Sequence, residues 1–491
     1  MARVAVVGGG IAGLTAAWEL ARAGVQVDLF EATDRLGGVI APVTLSGVQV
    51  DAGAEAFATR VPAVGEFLAD LGLEEQIVSP NPAGAWLQLP EFAAPLPATG
   101  ILGIPGEPGA DDVAAILGAQ HAARAAEDLR APMTWTAGQS PSLGEVVAER
   151  MGPAVVEKLV APITSGVHSA DPYDLAVSAA HPQLYRAMLA EGSLATAVSR
   201  LRAAAPAGSA VQSLWGGMST LISALEAQLR DLGVNIHLNT GVSEVQVHRN
   251  GVRMGVILAD SHLRPGRGEV EAEHLIMAVE GPEVEALLGQ ESASAARHSA
   301  QSGVALVTLL VHAPELDSHP RGTGMLVAPS NENIRAKAMT HISAKWAWAA
   351  EALEAKLGPG HHLLRLSYGR VNDSPGALGF GSSDRDLITA AIADLPHLTG
   401  APVAGEQIVD RTVVRWQRGL PGGGAAQRGD AEDLKAALAI QGAEGGPQLA
   451  AVGSWFAGTG LAQVIPDARA QARELCVRLA EEGSSLDLRC H

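Results

Sequence analysis

The sequence predicts an α/β protein in three parts. Its start reads as a strand, glycine turn, helix and strand; a mostly helical stretch covers about residues 110 to 190; strand-like runs mixed with helices follow. The first part is the sharpest. The apolar run Val4–Val7 leads into Gly8-Gly9-Gly10-Ile11-Ala12-Gly13, a helical pattern continues through Ala23 to Gly24, and a second strand, Val25 to Phe30, ends at Glu31. Glu31 falls about 20 residues beyond the turn, the place of the acidic residue in a dinucleotide-binding βαβ unit.

The helical stretch contains the Ala-rich segment Ala119–Ala131 and the amphipathic segments Ser142–Met151 and Pro153–Leu159. Strands are expected at Val234–Leu238, Val242–His248, Leu275–Val279, Ala305–Val311, Leu363–Leu366 and Val413–Trp416. Gly- and Pro-rich breaks near Gly100–Gly109, Arg264–Gly268 and Pro421–Gly424 read as loops. A late strand at Leu449–Val452, the glycine-rich run Gly453 to Gly460 and a helix from about Pro466 repeat the order seen at the start. Because these two units lie so far apart, the nucleotide-binding domain is expected to be discontinuous, at 1–58, 211–290 and 405–491. A substrate-binding domain is expected at 59–95, 191–210 and 291–404, with the helical insertion at 96–190.

The chain has 491 residues, enough for two or three domains of about 100–200 residues each. Apolar residues are 47% and charged residues 18%, which is ordinary globular usage. With 34 Lys and Arg against 53 Asp and Glu, the net charge of −19 opposes binding to nucleic acid and to anionic lipid. Cys476 and Cys490 are the only cysteines, too few for a metal cluster or a disulfide framework, and they suit a reducing compartment. No apolar stretch is long enough to cross a membrane, and the chain starts directly with a strand pattern, so a cytoplasmic protein is expected.

The turn has a direct chemical use. Gly8 allows a sharp bend, Gly10 lets the backbone approach a pyrophosphate, and Gly13 permits close helix packing. The helix start, with Ile11 and Ala12, offers amide donors and a positive dipole end to that diphosphate. Glu31 can accept hydrogen bonds from adenosine ribose hydroxyls, and would repel a 2′-phosphate. FAD and NAD share this turn.

The next segment, Asp34-Arg35-Leu36-Gly37-Gly38-Val39, resembles the flavoprotein amine oxidase superfamily. The resemblance implies FAD held in a Rossmann-like domain of the amine oxidase type, with Gly37 and Gly38 letting the chain run beside the diphosphate and Arg35 adding a fixed positive charge. Further matches resemble the bacterial protoporphyrinogen and coproporphyrinogen oxidases: Asp51 to Arg60 with Pro62–Leu73, Pro95-Leu96-Pro97 with Gly103-Ile104-Pro105, Ser142-Leu143-Gly144, and Pro162 to Val167. Lys345-Trp346, Arg415-Trp416, and Gly458-Thr459-Gly460 with Ile465-Pro466-Asp467 continue the resemblance to nearly the end of the chain.

What this resemblance implies is specific. Gly9 and Ala32 join the nucleotide contacts; Gly53, Ala54, Glu55 and Ala56 lie beside the flavin; Val242 lies near the adenine end; Trp416, Val464, Ile465 and Pro466 surround the isoalloxazine side. Arg60 is a candidate clamp for a propionate of a flexible tetrapyrrole, and the backbone carbonyl of Gly166 is a candidate to face the reacting carbon. His168 and His181 lie nearby and receive no catalytic role. The flavin takes hydride and molecular oxygen reoxidises it, so oxidation of a porphyrinogen by six electrons consumes three oxygen molecules and releases three of hydrogen peroxide. No metal is expected.

Coproporphyrinogen III is the favoured substrate. Protoporphyrinogen IX is the alternative, an amine oxidase or carotenoid desaturase a more distant one, and a flavin-binding interaction protein without turnover a different class altogether. Peripheral membrane contact and transfer of product to a chelatase are further expectations from the family. The sequence departs from the family pattern after Trp416, where Leu420-Pro421 is followed by Gly422 to Ala426 in place of an aromatic and Gly-His. Ser330–Asn333 and His341–Lys345 also fit the pattern loosely.

Overall fold

The computed structural model describes residues 2–167, 170–204, 210–258, 266–290, 303–370, 373, 376–417, 425–443 and 446–481. His168, Cys490, Arg264, Pro265 and the unusual segment from Gly422 to Gly424 lie outside the described residues, whereas Gly266–Gly268, expected as a loop, open strand Gly266–Ala272, where they pair with strand 251–258.

The opening unit forms as its sequence dictates: strand Arg3–Val7, helix Ile11–Arg22, strand Gln26–Phe30. These two strands sit in a five-stranded, all-parallel sheet in the order 235–237, 26–30, 3–7, 274–277, 449–451. Both faces are covered, which is why the strands read as unbroken apolar runs. Val4 and Val6 pack with Leu14, Trp18, Leu225 and Leu475 from helices 11–22, 219–231 and 461–481. Ala5 and Val7 face a three-stranded antiparallel meander through Val245, Val252 and Met254. The first and last helices are tied by charge as well, since Arg469 and Arg473 both donate to the buried Glu19 carboxylate.

A second sheet has seven strands in the order 408–417, 303–312, 361–368, 338–341, 324–327, 86–88, 93–95. It is antiparallel except where 324–327 runs beside 86–88. Strand Ile408–Gln417 was expected in the nucleotide domain; it pairs instead with residues 303–311, with Val304 opposite Trp416. This sheet membership carries Trp416 to the seam between the two sheets.

The third part is a helical cluster with its own core of Leu143, Val147, Val155, Leu159, Leu184 and Met188. Helix Leu143–Met151 starts at Ser142, whose Oγ accepts from the Glu145 amide (3.2 Å) while the Glu145 carboxylate accepts from the Ser142 amide (2.9 Å), a reciprocal cap. Helix 194–204 adds Leu194, Ala197 and Val198 to this core, so the cluster runs past the expected boundary at 190. Its centre is a buried ion pair: Arg150 donates to Asp128 at 2.5 Å and to the carbonyls of Pro132, Ala131 and Gly192, while Asp128 accepts from Ser193 Oγ and the Ala195 amide. The late helix spans Leu461–Glu481, starting before Pro466, because Gly460 supplies the first carbonyl acceptor, to Gln463 and Val464.

Candidate cofactor site

The glycine turn is packed as a backbone structure. Gly8 has φ +106°, its amide donates to the Phe30 carbonyl at 2.8 Å, and a β-carbon there would lie 2.6 Å from the Ala278 carbonyl oxygen. Gly13 presses on the Gly8 carbonyl, so a side chain at either position collides with backbone. Gly10 is different: a β-carbon there meets nothing within 4 Å. It is also the N-cap of helix 11–22 and gives no side-chain cap. Open space in front of uncapped first-turn amides is what a diphosphate needs, so these residues fit a dinucleotide.

Glu31 closes the turn from the side. One carboxylate oxygen accepts from the Gly9 amide at 2.8 Å and the other from the Thr33 amide and hydroxyl at 2.8 and 2.7 Å. Three of its roughly four lone-pair sites are therefore used within the protein, and one is left for a ribose hydroxyl. Its backbone joins strand 240–248, since the Thr240 amide donates to the Glu31 carbonyl. Gly241 lies against Ala32, and Val242 sits next to it at a bulge in strand 240–248.

Segment 34–39 lies alongside the turn, with the Gly37 amide donating to the Gly9 carbonyl at 2.8 Å. Arg35 donates to the carbonyls of Gly38 (2.9 Å) and Leu36 (3.3 Å), and its guanidinium carbon lies 6.0 Å from the Trp416 ring centre. Its charge is fixed beside the turn by backbone, with Trp416 on its other side. Gly53 is wedged between the Val39 carbonyl and the Trp416 indole, at 2.6 and 2.9 Å from where a β-carbon would stand. The indole N–H donates to the Ala52 carbonyl at 3.1 Å, and the Ala54 amide to the Val39 carbonyl. The structure thus brings together 8–13, 31–39, 52–54 and 416. Gly453, Gly458 and Gly460 border open space, while Val464 and Ile465 are buried against the first helix and Pro466 is half-buried.

Glu55 enters a charged group that the sequence did not reveal. Its carboxylate accepts from Lys345 Nζ at 2.6 Å and from Arg365 Nη2 at 2.5 Å. Arg365 Nη1 also donates to the carbonyls of Asp51 and Gly53, both at 3.2 Å. Burial would raise the Glu55 pKa, but Arg365 and then Lys345 outweigh it and hold the carboxyl at about 2. The neighbouring Asp51 is pushed up to about 6 by burial, against the amides of Met218 and Ser219 that bond it at the start of helix 219–231. The available signal for Arg365 was a lone arginine among the leucines of the expected strand Leu363–Leu366. Ala56 is half-buried beside Val50 and Trp346.

Arg60 is exposed just beyond strand 57–58, and among the described residues no hydrogen bond or ion pair holds it. It lies near His181, whose pKa is lowered first by burial and then by the Arg60 charge. The His181 ring is structural, its Nδ1 accepting from the Leu184 amide at 3.0 Å. Gly166 lies in helix 161–167 with its bare face on the second sheet, where a β-carbon would meet Leu326 at 2.7 Å. Among the described residues, no group of three His, Cys, Asp or Glu could hold a metal ion, and no helix is long and apolar enough to cross a membrane.

A parallel sheet and a glycine turn opening a helix, with residues 31–39 and 52–54 packed beside it, define a dinucleotide-binding fold. Residues 11–480 match the family described as flavin containing amine oxidoreductase. The coproporphyrinogen III oxidase of Mycobacterium tuberculosis is 31% identical over 465 residues, 93% of each chain, and that of Bacillus subtilis is 26% identical over 95% of this chain and 96% of its own. A crystal structure from Exiguobacterium sp., provisionally named as a protoporphyrinogen oxidase, superposes with a TM-score of 0.81 at 24% identity, covering 97% of this chain and 99% of that one. The chain belongs to the flavin containing amine oxidoreductase family, and it is an FAD-dependent oxidase.

Proposed function

We propose that this flavoenzyme oxidises coproporphyrinogen III to coproporphyrin III in haem biosynthesis, removing six electrons in three rounds, with molecular oxygen as acceptor and hydrogen peroxide as by-product. The observation that carries the reading is its likeness, along nearly the whole chain, to coproporphyrinogen III oxidases.

When bound, FAD supplies two-electron oxidation; the protein supplies binding, orientation and exclusion of water. In this reading Gly8, Gly9, Gly10, Ile11, Ala12 and Gly13 receive the diphosphate, and Glu31, Ala32 and Val242 the adenosine. Arg35, Gly37, Gly38, Val39, Gly53 to Ala56, Trp416 and Val464 to Pro466 flank the ring system. Arg60, an exposed cation with no fixed partner among the described residues, is free to engage a propionate. The Gly166 carbonyl belongs to the last turn of its helix, where carbonyls lack helical partners, and so can face the macrocycle. Residues 1–58, 211–290 and much of 405–491 form the FAD-binding part in this account, with the second sheet and the helical cluster enclosing substrate. A cytoplasmic location, peripheral contact with a membrane, and delivery of product to a chelatase complete it.

Anaerobic addition of coproporphyrinogen III tests the enzyme reading directly: the bound flavin bleaches. An oxidised spectrum that persists with excess substrate defeats it, and points to a binding protein without turnover. Parallel rates on coproporphyrinogen III and protoporphyrinogen IX, corrected for spontaneous oxidation, decide the substrate.

A further inference from the structure

We infer that Glu55, Lys345 and Arg365 set the reduction potential of the bound flavin, the two cations raising it and the carboxylate opposing them. The inference rests on the reading that residues 53–56 flank the flavin.

The three side chains come from separate elements. Glu55 follows the Asp51–Gly53 turn, Lys345 ends the short helix 342–345, and Arg365 projects from the middle of strand 361–368. Their side chains are 12, 21 and 9% exposed, so little water screens them. Arg365 reaches past Glu55 to the carbonyls of Asp51 and Gly53, so its charge stands one peptide away from the glycine seated against Val39 and Trp416. One carboxylate cannot neutralise two cations, so the group carries net positive charge. Here Glu55 has two, and the nearest further carboxylate, Asp51, is turned to the amides of Met218 and Ser219.

A flavin that takes up two electrons and one proton gains one negative charge. Neighbouring cations favour that state and a neighbouring anion disfavours it. The signs therefore separate this role from simple bracing. Loss of Lys345 charge lowers the potential, loss of Glu55 charge raises it, and a bracing role gives no reason for opposite directions.

The test is an anaerobic reductive titration of the purified holoproteins against reference dyes. Lys345→Met is expected below the parent, Lys345→Arg at the parent value, and Glu55→Gln, which keeps an acceptor oxygen, above it. Arg365→Lys keeps the potential near the parent while releasing FAD more readily, because a compact ammonium cannot span the separate positions from which Nη1 holds the two carbonyls and Nη2 the carboxylate. Potentials of Lys345→Met and Glu55→Gln that stay at the parent value, or move the same way, overturn the inference. If Glu55→Gln does not retain flavin, the two Lys345 variants decide: equal potentials sink the proposal. Gly53→Val reports on the underlying site reading. Unchanged FAD affinity and spectrum in that variant, with the apoprotein melting as the parent does, would show that the flavin sits elsewhere.

Discussion

The glycine turn at 8–13 and the Glu55–Lys345–Arg365 cluster are built in opposite ways. The turn is made of backbone: amides, carbonyls and missing β-carbons within one short stretch. The cluster is made of side chains brought from sequence separations of 290 and 310 residues. Backbone-built sites tolerate almost no added atom but need no distant partner; side-chain-built sites depend on the whole topology and can be retuned one charge at a time.

The sharpest way to break this contrast is to add atoms to the turn. Gly13→Val drives carbons into the Gly8 carbonyl and is expected to abolish FAD binding, read as loss of the flavin absorbance on purification. Gly10→Ala sharpens it, because its β-carbon meets no protein atom within 4 Å. The apoprotein should unfold within about 0.5 kcal/mol of the parent, while FAD affinity falls about tenfold or more, near 1.4 kcal/mol. Equal affinity would mean that the diphosphate lies elsewhere.

Side-chain clusters should respond to loss of one partner. Arg150→Met strands the buried Asp128 carboxylate and is expected to cost about 3–5 kcal/mol in denaturant unfolding. A cost under 1 kcal/mol would show that the helical cluster does not rely on the pair. Glu55 predicts a pH signature. Its folded-state value of about 2 lies below the ordinary 4.5, so its stabilisation is complete above pH 4.5 and is lost as pH falls from there toward 2. The stability gap between parent and Glu55→Gln, roughly 3 kcal/mol by linkage, should be full at neutral pH and close over that acid range. A gap that persists at pH 2 would assign the cost to packing.

The smallest effect belongs to the exposed cation. Arg60→Ala is expected to raise the KM for coproporphyrinogen III about tenfold, with flavin content and potential unchanged. A matching loss of flavin would place Arg60 on the cofactor side.

Legibility follows the same division. The turn, Glu31 and the flanking strands could be read because a strand, a glycine bend and a helix are local patterns, and their chemistry is carried by the same residues. Gly53 and Trp416 came only through family likeness; in isolation they are a glycine and an apolar strand residue. The apolar pattern marked Val413–Trp416 as a strand, yet a strand carries no label for its sheet, and this one, observed over 408–417, joined the second. The helix expected from about Pro466 starts at Leu461, directly after Gly460. Arg365 was invisible because its partners lie in a turn more than half the chain away.

Strand 449–451 and helix 461–481 complete the sheet that begins at residue 3. A chain leaving the ribosome therefore displays its glycine turn long before the helix that covers Leu14 and Trp18, or the arginines that neutralise Glu19, have been made. The apolar face of the first helix lacks this cover until residues 461–481 have been translated, so the packing behind the glycine turn is complete only once that segment has been made.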